Sequence, residues 1–244
     1  VLSYGTNAAA DYRIEGLIMS SGGSEFDLVL SEKACGKHEG ACYHIKTNIV
    51  AEYNILNLAA AIAGLHCQGF EMEKLIEACL DVKQVDGRME RVENELGIDL
   101  IVDYAHTPDG LQNILETAKA IKENRIIIVF GCGGDRDATK RPIMGRIAAE
   151  YGDKIYVTSD NPRTEDPVQI VKDVEVGVKE ALRDGTSYEV IVDRREAINH
   201  AIHDAKAGDI VIIAGKGHEN YQILKNETIH FDDREEARKA LKEI

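Results

Sequence analysis

Residues 154–163 read Lys-Ile-Tyr-Val-Thr-Ser-Asp-Asn-Pro-Arg, an apolar run followed by a polar turn. The apolar half has the length and composition of a buried strand. Pro162 fixes its own φ and disfavours the helical conformation at Asn161, so Asn161 and Arg163 are held at set angles. Arg163 can form a two-pronged pair with a carboxylate, which a lysine cannot reproduce. The stretch therefore predicts either an ordinary turn with a solvated arginine or a carboxylate-binding loop.

Apolar strands and helices alternate along the chain on both sides of this stretch. The predicted strands cover 100–103, 126–130, 154–158, 188–192 and 209–214, with a short one near 229. The predicted helices cover 111–121, 143–150, 168–182 and 195–205, with a closing helix from 234. This βαβ alternation predicts an α/β fold, a Rossmann-like, mainly parallel sheet with helices on both faces.

The pattern before residue 86 is different. The first 50 residues alternate around a Gly/Ser turn at 20–24, which is typical of antiparallel strands. An Ala-rich helix is predicted over 53–67 and a second helix over 72–80. The change of pattern after Asp86-Gly87-Arg88 predicts two domains, residues 1–90 and residues 91–244.

Composition limits the classes of partner. The chain has 244 residues, 44% hydrophobic and 30% charged, with a net charge of −14. Nucleic acid is therefore not expected as a partner, because a phosphate backbone needs a basic face. No apolar run approaches the length of a membrane helix, so no membrane association is expected. We expect a cytoplasmic monomer, and because the chain begins with Val rather than Met, a piece of a longer protein.

Five cysteines, an odd number, predict free thiols in a sequence of this character. Four possible zinc ligands fall within ten residues, Cys35, His38, Cys42 and His44. Their spacing matches no common zinc finger, and the intervening glycines and charges indicate a hairpin loop between two strands. The sequence therefore predicts a surface hairpin and no metal site.

Four unusual segments follow predicted strands, where an open parallel sheet binds its ligands. Glycines are mixed in them with Arg, His, Asp and Glu, which predicts a cleft for a charged small molecule. A nucleotide-dependent oxidoreductase is an alternative, but no G-x-G-x-x-G fingerprint and no Walker A sequence exists in the chain. The segments are 103–108, 131–137, 160–163 and 215–219.

Together these segments carry a family resemblance. In family order and at family-like spacing the chain has the motifs DGRME (86–90), DYAHTP (103–108), GCGGDRD with KRP (131–137 and 140–142), DNPR (160–163), DR (193–194) and AGKGHE-x-YQ (214–222). The chain resembles the C-terminal part of the Mur ligase family, in its diaminopimelate-adding branch. Residues 1–90 resemble the end of the central ATP-binding domain, and residues 91–244 the amino-acid-binding domain.

The resemblance implies an ATP-dependent amide ligase of peptidoglycan precursor synthesis. ATP and Mg2+ would activate the D-glutamate of a UDP-muramoyl dipeptide as an acyl phosphate, which the amine of meso-diaminopimelate attacks. The family's phosphate-binding loop, its modified lysine and its UDP-binding domain are not among these 244 residues, so we expect this chain to be inactive alone. Alternatives are an amino-acid-binding module without catalysis, or another Mur or folylpolyglutamate-type ligase.

The resemblance also implies roles for individual residues. The expected contacts to meso-diaminopimelate are Arg136, Asp160, Asn161, Pro162, Arg163, Gly215 and Glu219. The expected contacts to ATP are Asn57, Arg88, Asp103 and His106. For Arg136 the alternative is a salt bridge to a neighbouring aspartate, and Arg141 is expected to orient its loop. His218 is a possible general base, although structural support of its loop is an equal alternative.

Overall fold

The computed structural model describes residues 1–20, 22–36 and 40–244. It divides into two compact units, Val1–Gln84 and Val85–Ile244. The assignment of residues 1–90 to the end of an ATP-binding domain, and of residues 91–244 to an amino-acid-binding domain, stays a prediction. Among the described residues no helix is both long and apolar enough to cross a membrane.

In its described residues the first unit is a four-stranded sheet with three helices. Its strands, in spatial order, are β1 (Tyr4–Gly5), β2 (Tyr12–Ser20), β3 (Gly23–Leu30) and β4 (Ala41–Thr47). The last three are antiparallel, as the alternation predicts, and β1 is an unpredicted parallel edge strand. One face of the sheet buries alternate side chains against helices α2 (Glu52–Cys67) and α3 (Met72–Ala78), so this unit has its own hydrophobic core.

The segment that carries the possible zinc ligands differs in part from the prediction. A one-turn helix, α1 (Glu32–Cys35), precedes the return into β4, because the Ser31 hydroxyl accepts the N–H of Ala34 and caps it. Cys42 and His44 lie exposed on β4, and His44 bonds Asp27, whereas His38 lies outside the described residues. Within the described parts of the chain no three His, Cys, Asp or Glu side chains are grouped to hold a metal.

The second unit is the predicted Rossmann-like α/β fold. Its sheet runs in the order β5-β6-β10-β7-β8-β9, and only β5 is antiparallel to its neighbour. The strands are β5 (Glu90–Arg91), β6 (Asp99–Asp103), β7 (Ile126–Phe130), β8 (Lys154–Val157), β9 (Ser187–Val190) and β10 (Ile210–Ala214). The helices are α4 (Pro108–Ile121), α5 (Lys140–Tyr151), α6 (Pro167–Ala181), α7 (Arg194–Asp204) and α8 (Asp233–Leu241).

Three details of this unit were not predicted, and the first is the short antiparallel strand β5. The strand near residue 229 is outside the main sheet: β12 (Thr228–His230) pairs with a missed strand, β11 (Tyr221–Ile223), as a separate hairpin. Helices α4 and α5 each begin three residues earlier than predicted. The start of α4 is capped because the Thr107 hydroxyl accepts the N–H of Gly110, and Pro108 has the φ that a first helical turn needs.

Helices α5 and α6 pack unusually closely, because a glycine of each faces the backbone of the other. A Cβ at Gly177 would overlap the carbonyl of Pro142 and lie 2.9 Å from the N of Arg146. A Cβ at Gly145 would overlap the carbonyl of Val174. Since α5 and α6 each follow a loop at the sheet edge, this close packing also fixes the distance between those two loops.

We expect Gly177→Ala to destabilise the protein by about 1–3 kcal/mol, because overpacking outweighs the better helix propensity of alanine. The control is Gly64→Ala in α2, where no atom lies within 4 Å of the new Cβ. That change should stabilise by up to about 1 kcal/mol, as an unhindered Gly→Ala change in a helix does. Urea unfolding curves of both variants measure the difference, and equal signs for the two changes would contradict the packing argument.

A buried carboxylate joins the starts of two neighbouring strands. Asp209, just before β10, is fully buried and accepts the backbone N–H groups of Arg125 and Lys206. The guanidinium of Arg125, just before β7, also donates to it over 2.7 Å. Burial alone would raise the pKa of Asp209, but the hydrogen bonds from Arg125 and Lys206 outweigh it and hold the pKa below its usual value.

We expect Asp209→Asn to destabilise the protein by about 1–3 kcal/mol at neutral pH, because the charged partner of Arg125 is lost. A pKa lowered in the folded state means that this contribution is present above about pH 4 and is lost as the pH falls through the folded-state value. Urea midpoints of variant and wild type should therefore converge in acid. Asp184→Asn, at an exposed position, is the control, and a gap that is independent of pH would contradict the assignment.

Candidate functional site

The four segments that the sequence singled out lie side by side. They follow β6, β10, β7 and β8, which are adjacent in the sheet and parallel. Their carboxyl ends therefore open at one edge, as predicted. At this edge the structure has a cleft of about 440 Å³. It is lined by Tyr104, His106, Thr107, Gly133, Arg136, Asp137, Lys140, Asp160, Asn161, Arg163, Gly215, Glu219 and Tyr221.

Six of the seven residues predicted to contact the amino acid line this cleft. The exception is Pro162, which lines a separate cavity that Val192, Leu224 and Phe231 also line. Pro162 therefore shapes the turn without forming the wall of the cleft. Whether these seven residues bind a ligand stays a prediction.

Asn161 is buried and its amide has a defined orientation. Its Oδ1 accepts the backbone N–H of Ile223 over 2.9 Å, and its Nδ2 donates to Oε2 of Glu219 over 3.0 Å. Since a backbone N–H can only donate, the amide oxygen must face Ile223. Asn161 thus joins the turn after β8 to the hairpin β11–β12 and to the loop after β10.

Arg163 is half-buried in a left-handed backbone conformation, φ 52°. Its N–H donates to the carbonyl of Ile223 at 3.0 Å and its Nη1 to the carbonyl of Gly134 at 2.8 Å. Its Nε and Nη2 make no hydrogen bond to any described residue. A left-handed non-glycine residue costs about 1–2 kcal/mol and persists where its surroundings enforce it. Because Arg163 lines the cleft, its Nε and Nη2 are two donors that are available there.

The loop after β7 is tied to the same turn. Asp135, also left-handed with φ 53°, accepts the hydroxyl and the N–H of Thr164 over 2.7 and 3.1 Å. These hydrogen bonds from Thr164 lower the pKa of Asp135. The N–H of Gly134 donates to the carbonyl of Asn161. The two loops behave as one rigid wall of the cleft.

The two other arginines of this region have different surroundings. Arg136 is exposed, and its Nη1 donates only to the carbonyl of Asp135, at 3.3 Å. Among the described residues it forms no ion pair with either neighbouring aspartate, which was the alternative that the sequence left open. Arg141 is buried and pairs with Glu165 and Asp173 over 2.8 and 2.9 Å. Arg141 therefore holds its loop, whereas Arg136 has its charge available at the cleft.

The loop after β10 supplies the opposite wall. Gly215 has φ 122°, and a Cβ there would lie 2.8 Å from Oδ2 of Asp160, so a side chain would crowd that carboxylate. Glu219 accepts hydrogen bonds at Oε2 from Asn161 and from Lys216, at 3.0 and 3.2 Å. Its Oε1 accepts none from the described residues. Lys216 was missed in the sequence, where a lysine between two glycines reads as an exposed loop residue, yet it is completely buried.

Three residues with expected roles gather around a tyrosine that was not predicted. The Arg88 guanidinium lies 5.1 Å from the ring centroid of Tyr104, and the rings of His106 and His218 lie 4.6 and 5.2 Å from it. His218 makes no hydrogen bond to the described residues, so its observed contact is packing against Tyr104. Whether Arg88 and His106 bind ATP, and whether His218 acts as a base, stay predictions.

The carboxylate of Asp103 is occupied by the backbone. It accepts the N–H of Met89 at 2.7 Å and that of Ala105 at 2.8 Å, and it is only 3% exposed. These hydrogen bonds hold the segment 87–89 against the end of β6. The expected contact of Asp103 to ribose stays a prediction. Asn57 belongs to the first unit, where it is exposed on α2.

A nucleophilic thiol is not part of this site. Cys132 lies in the Gly-rich loop after β7, but it is buried against Met144, and burial raises the pKa of its thiol to about 12. A thiol with this pKa stays protonated at neutral pH and is not a nucleophile. The chemistry of the cleft is that of recognition, because its lining offers guanidinium donors, carboxylates and aromatic rings.

Comparison with known proteins gives this geometry a context. The family described as "Mur ligase, glutamate ligase domain" matches residues 87–217, more than half of the chain. UDP-N-acetylmuramoyl-L-alanyl-D-glutamate–2,6-diaminopimelate ligases match the whole chain, at 47% identity in Clostridium botulinum and 44% in Geobacillus kaustophilus. They are matched over 48% and 47% of their own length, so the chain spans about half of the curated relatives it matches.

Solved structures of Mur ligases are also similar to this chain. The structure of a UDP-N-acetylmuramoyl-L-alanyl-D-glutamate–2,6-diaminopimelate ligase superposes with a TM-score of 0.69 at 39% identity, over 99% of this chain and 47% of that one. A MurF ligase from Thermotoga maritima in complex with ADP gives a TM-score of 0.65 at 15% identity, over 99% and 48%, which shows the fold alone. With the family match over residues 87–217 and these relatives over the full chain, the chain belongs to the Mur ligase family.

Proposed function

We propose that this chain is the amino-acid-binding half of an ATP-dependent ligase that adds meso-diaminopimelate to UDP-N-acetylmuramoyl-L-alanyl-D-glutamate. The observation that carries the proposal is the pairing, in one cleft, of a guanidinium with two available donors and a carboxylate with one available oxygen. Arg163 and Glu219 hold these groups, and Asn161 lies between them. The names of the matched relatives support the choice of amino acid.

The chemistry of the substrate explains why such a pair is needed. The far end of meso-diaminopimelate carries a carboxylate and an ammonium on one carbon. Arg163 and Arg136 suit the carboxylate, because a guanidinium matches its planar geometry. The open Oε1 of Glu219 suits the ammonium, and the absence of a side chain at Gly215 allows close approach. Binding at this end would leave the amine at the other end to react with the activated glutamate.

ATP is the proposed second substrate, and the Arg88–His106–Tyr104 group is the part of this unit suited to it. An aromatic ring flanked by donors can stack and neutralise a nucleotide. For Mg2+, the described residues include no group of three carboxylate, histidine or cysteine side chains that could hold a metal ion. We therefore assign no magnesium ligand and no step of phosphoryl transfer to this chain.

The first test is specificity. The full-length protein that contains this chain should use meso-diaminopimelate about 30- to several-thousand-fold better than L-lysine, because lysine leaves a guanidinium without its carboxylate, a loss on the order of 2–5 kcal/mol. Ligation with the two amino acids in competition measures the ratio. Equal use of lysine would refute the proposed substrate.

The second test replaces the bidentate guanidinium of Arg163 by a group of the same charge. Arg163→Lys should raise the KM for meso-diaminopimelate about 10- to 100-fold, since one bidentate pair is lost, and should leave the KM for ATP unchanged. Arg238→Lys in α8, at an exposed position, is the matched control and should behave as wild type. An Arg163→Lys enzyme with an unaltered KM for diaminopimelate would show that this arginine is not a ligand.

A further inference from the structure

Lys216 has no exposed surface, although Gly215 before it and Glu219 three residues later both line the cleft. It follows β10, directly after Gly215, and its ammonium lies 5.4 Å from the ring centroid of Tyr221. An ammonium removed from water is unfavourable unless hydrogen bonds and an opposite charge replace the water. The partners of Lys216 therefore indicate why a lysine occupies this position.

Those partners form a closed triangle. The Nζ of Lys216 donates to Oδ1 of Asn161 at 3.3 Å and to Oε2 of Glu219 at 3.2 Å. The Nδ2 of Asn161 donates to the same Oε2 at 3.0 Å. Lys216 thus pins one oxygen of Glu219 and the amide oxygen of Asn161 at the same time, and the side chain of each is held by the other two.

As a consequence, the two carboxylate oxygens of Glu219 differ in their hydrogen bonding. Oε2 is taken by two donors inside the protein, and Oε1 accepts nothing from the described residues. The side chain of Glu219 is 16% exposed, so its open oxygen can reach a ligand in the cleft. Without an internal cation, a mostly buried carboxylate would lower its energy by turning toward water, and Oε1 would lose its direction.

We propose that Lys216 is a positioning residue, which aims Glu219 and Asn161 at the ammonium of the bound amino acid without touching the substrate itself. The proposal rests on the proposed function, since it presupposes an amino acid with a second ammonium in the cleft. It is specific in its chemistry: Lys216 acts on recognition of the ammonium group through Glu219, and not on recognition of the carboxylate by Arg163.

The test pairs a protein change with a substrate change. L-2-aminopimelate has the reacting amine and the distal carboxylate of diaminopimelate but lacks the distal ammonium. In the full-length protein, Lys216→Met should raise the KM for meso-diaminopimelate about 10- to 100-fold, as loss of a charge-assisted hydrogen bond does. The KM for L-2-aminopimelate should change less than about 3-fold, because the two changes remove the same interaction.

Two further variants and two controls keep the test decisive. Lys216→Gln retains hydrogen-bond donors without the charge and should fall between wild type and Lys216→Met. Lys225→Met makes the same replacement at an exposed position between β11 and β12, and should leave every constant unchanged. The KM for ATP should also be unaltered in the Lys216 variants, and thermal unfolding reports whether each variant is folded.

Several outcomes would overturn the inference. An equal rise in KM for both amino acids would mean that Lys216 supports the whole cleft, and a fall in the KM for diaminopimelate would mean that its charge repels the ligand. Loss of folding in both Lys216→Met and Lys216→Gln would make it a structural residue. Failure of the wild type to ligate diaminopimelate would instead refute the proposed function, so the two failures are distinguishable.

Discussion

The buried guanidinium of Arg194 is the interaction on which the geometry of the cleft depends. It begins α7, has no exposed surface on its side chain, and pairs with both oxygens of Asp233 at 2.8 Å. It also donates to the carbonyl of Ala214 at 3.0 Å and to that of Ser159 at 3.5 Å. Ala214 is the last residue of β10, and Ser159 lies just after β8; β7 separates these two strands in the sheet. Arg194 therefore spans the sheet edge beneath the cleft and sets the separation of its two walls.

The loops above this pair are rigid because they are tied to one another rather than to solvent. The wall after β8 is joined to the loop after β7 through Asp135 and Thr164, and to the loop after β10 through Asn161 and Glu219. Two non-glycine residues are held left-handed in this network, Asp135 and Arg163. Such strain is stable only because the surrounding hydrogen bonds over-determine it. Preorganisation of this kind lowers the conformational entropy that the protein must lose when it binds a small ligand.

The fold was largely predictable from sequence, since its signals are local. Strands such as Ile126–Phe130 are short apolar runs, and their alternation with helices implies the parallel sheet. The start of α4 was misplaced by three residues because the Thr107 cap acts through a hydrogen bond that apolar periodicity does not record. The strand Tyr221–Ile223 was missed because its three residues are defined only by their pairing with β12.

The site was predictable as a group of segments, but not in its internal order. Motif position brought Arg163, Asn161 and Glu219 to one sheet edge. No property of the sequence separates the buried Lys216 from the exposed Lys225, because burial depends on long-range contacts with Asn161 and Tyr221. In the same way, nothing local shows that the carboxylate of Asp103 is already satisfied by the N–H groups of Met89 and Ala105.

The hairpin β11–β12 has a consequence for the proposed amino-acid specificity, because it holds the turn of residues 160–163. The backbone N–H and carbonyl of Ile223 bond to Asn161 and Arg163, and the side chain of Gln222 donates to the carbonyl of Asp160. The hairpin thus fixes the conformation of the turn of residues 160–163, although it lies about sixty residues further along the chain. Exchanging only the four residues 160–163 between relatives would transfer the side chains without the hairpin that fixes their conformation. If the turn binds the amino acid as proposed, an exchange of specificity has to move the turn and the hairpin together.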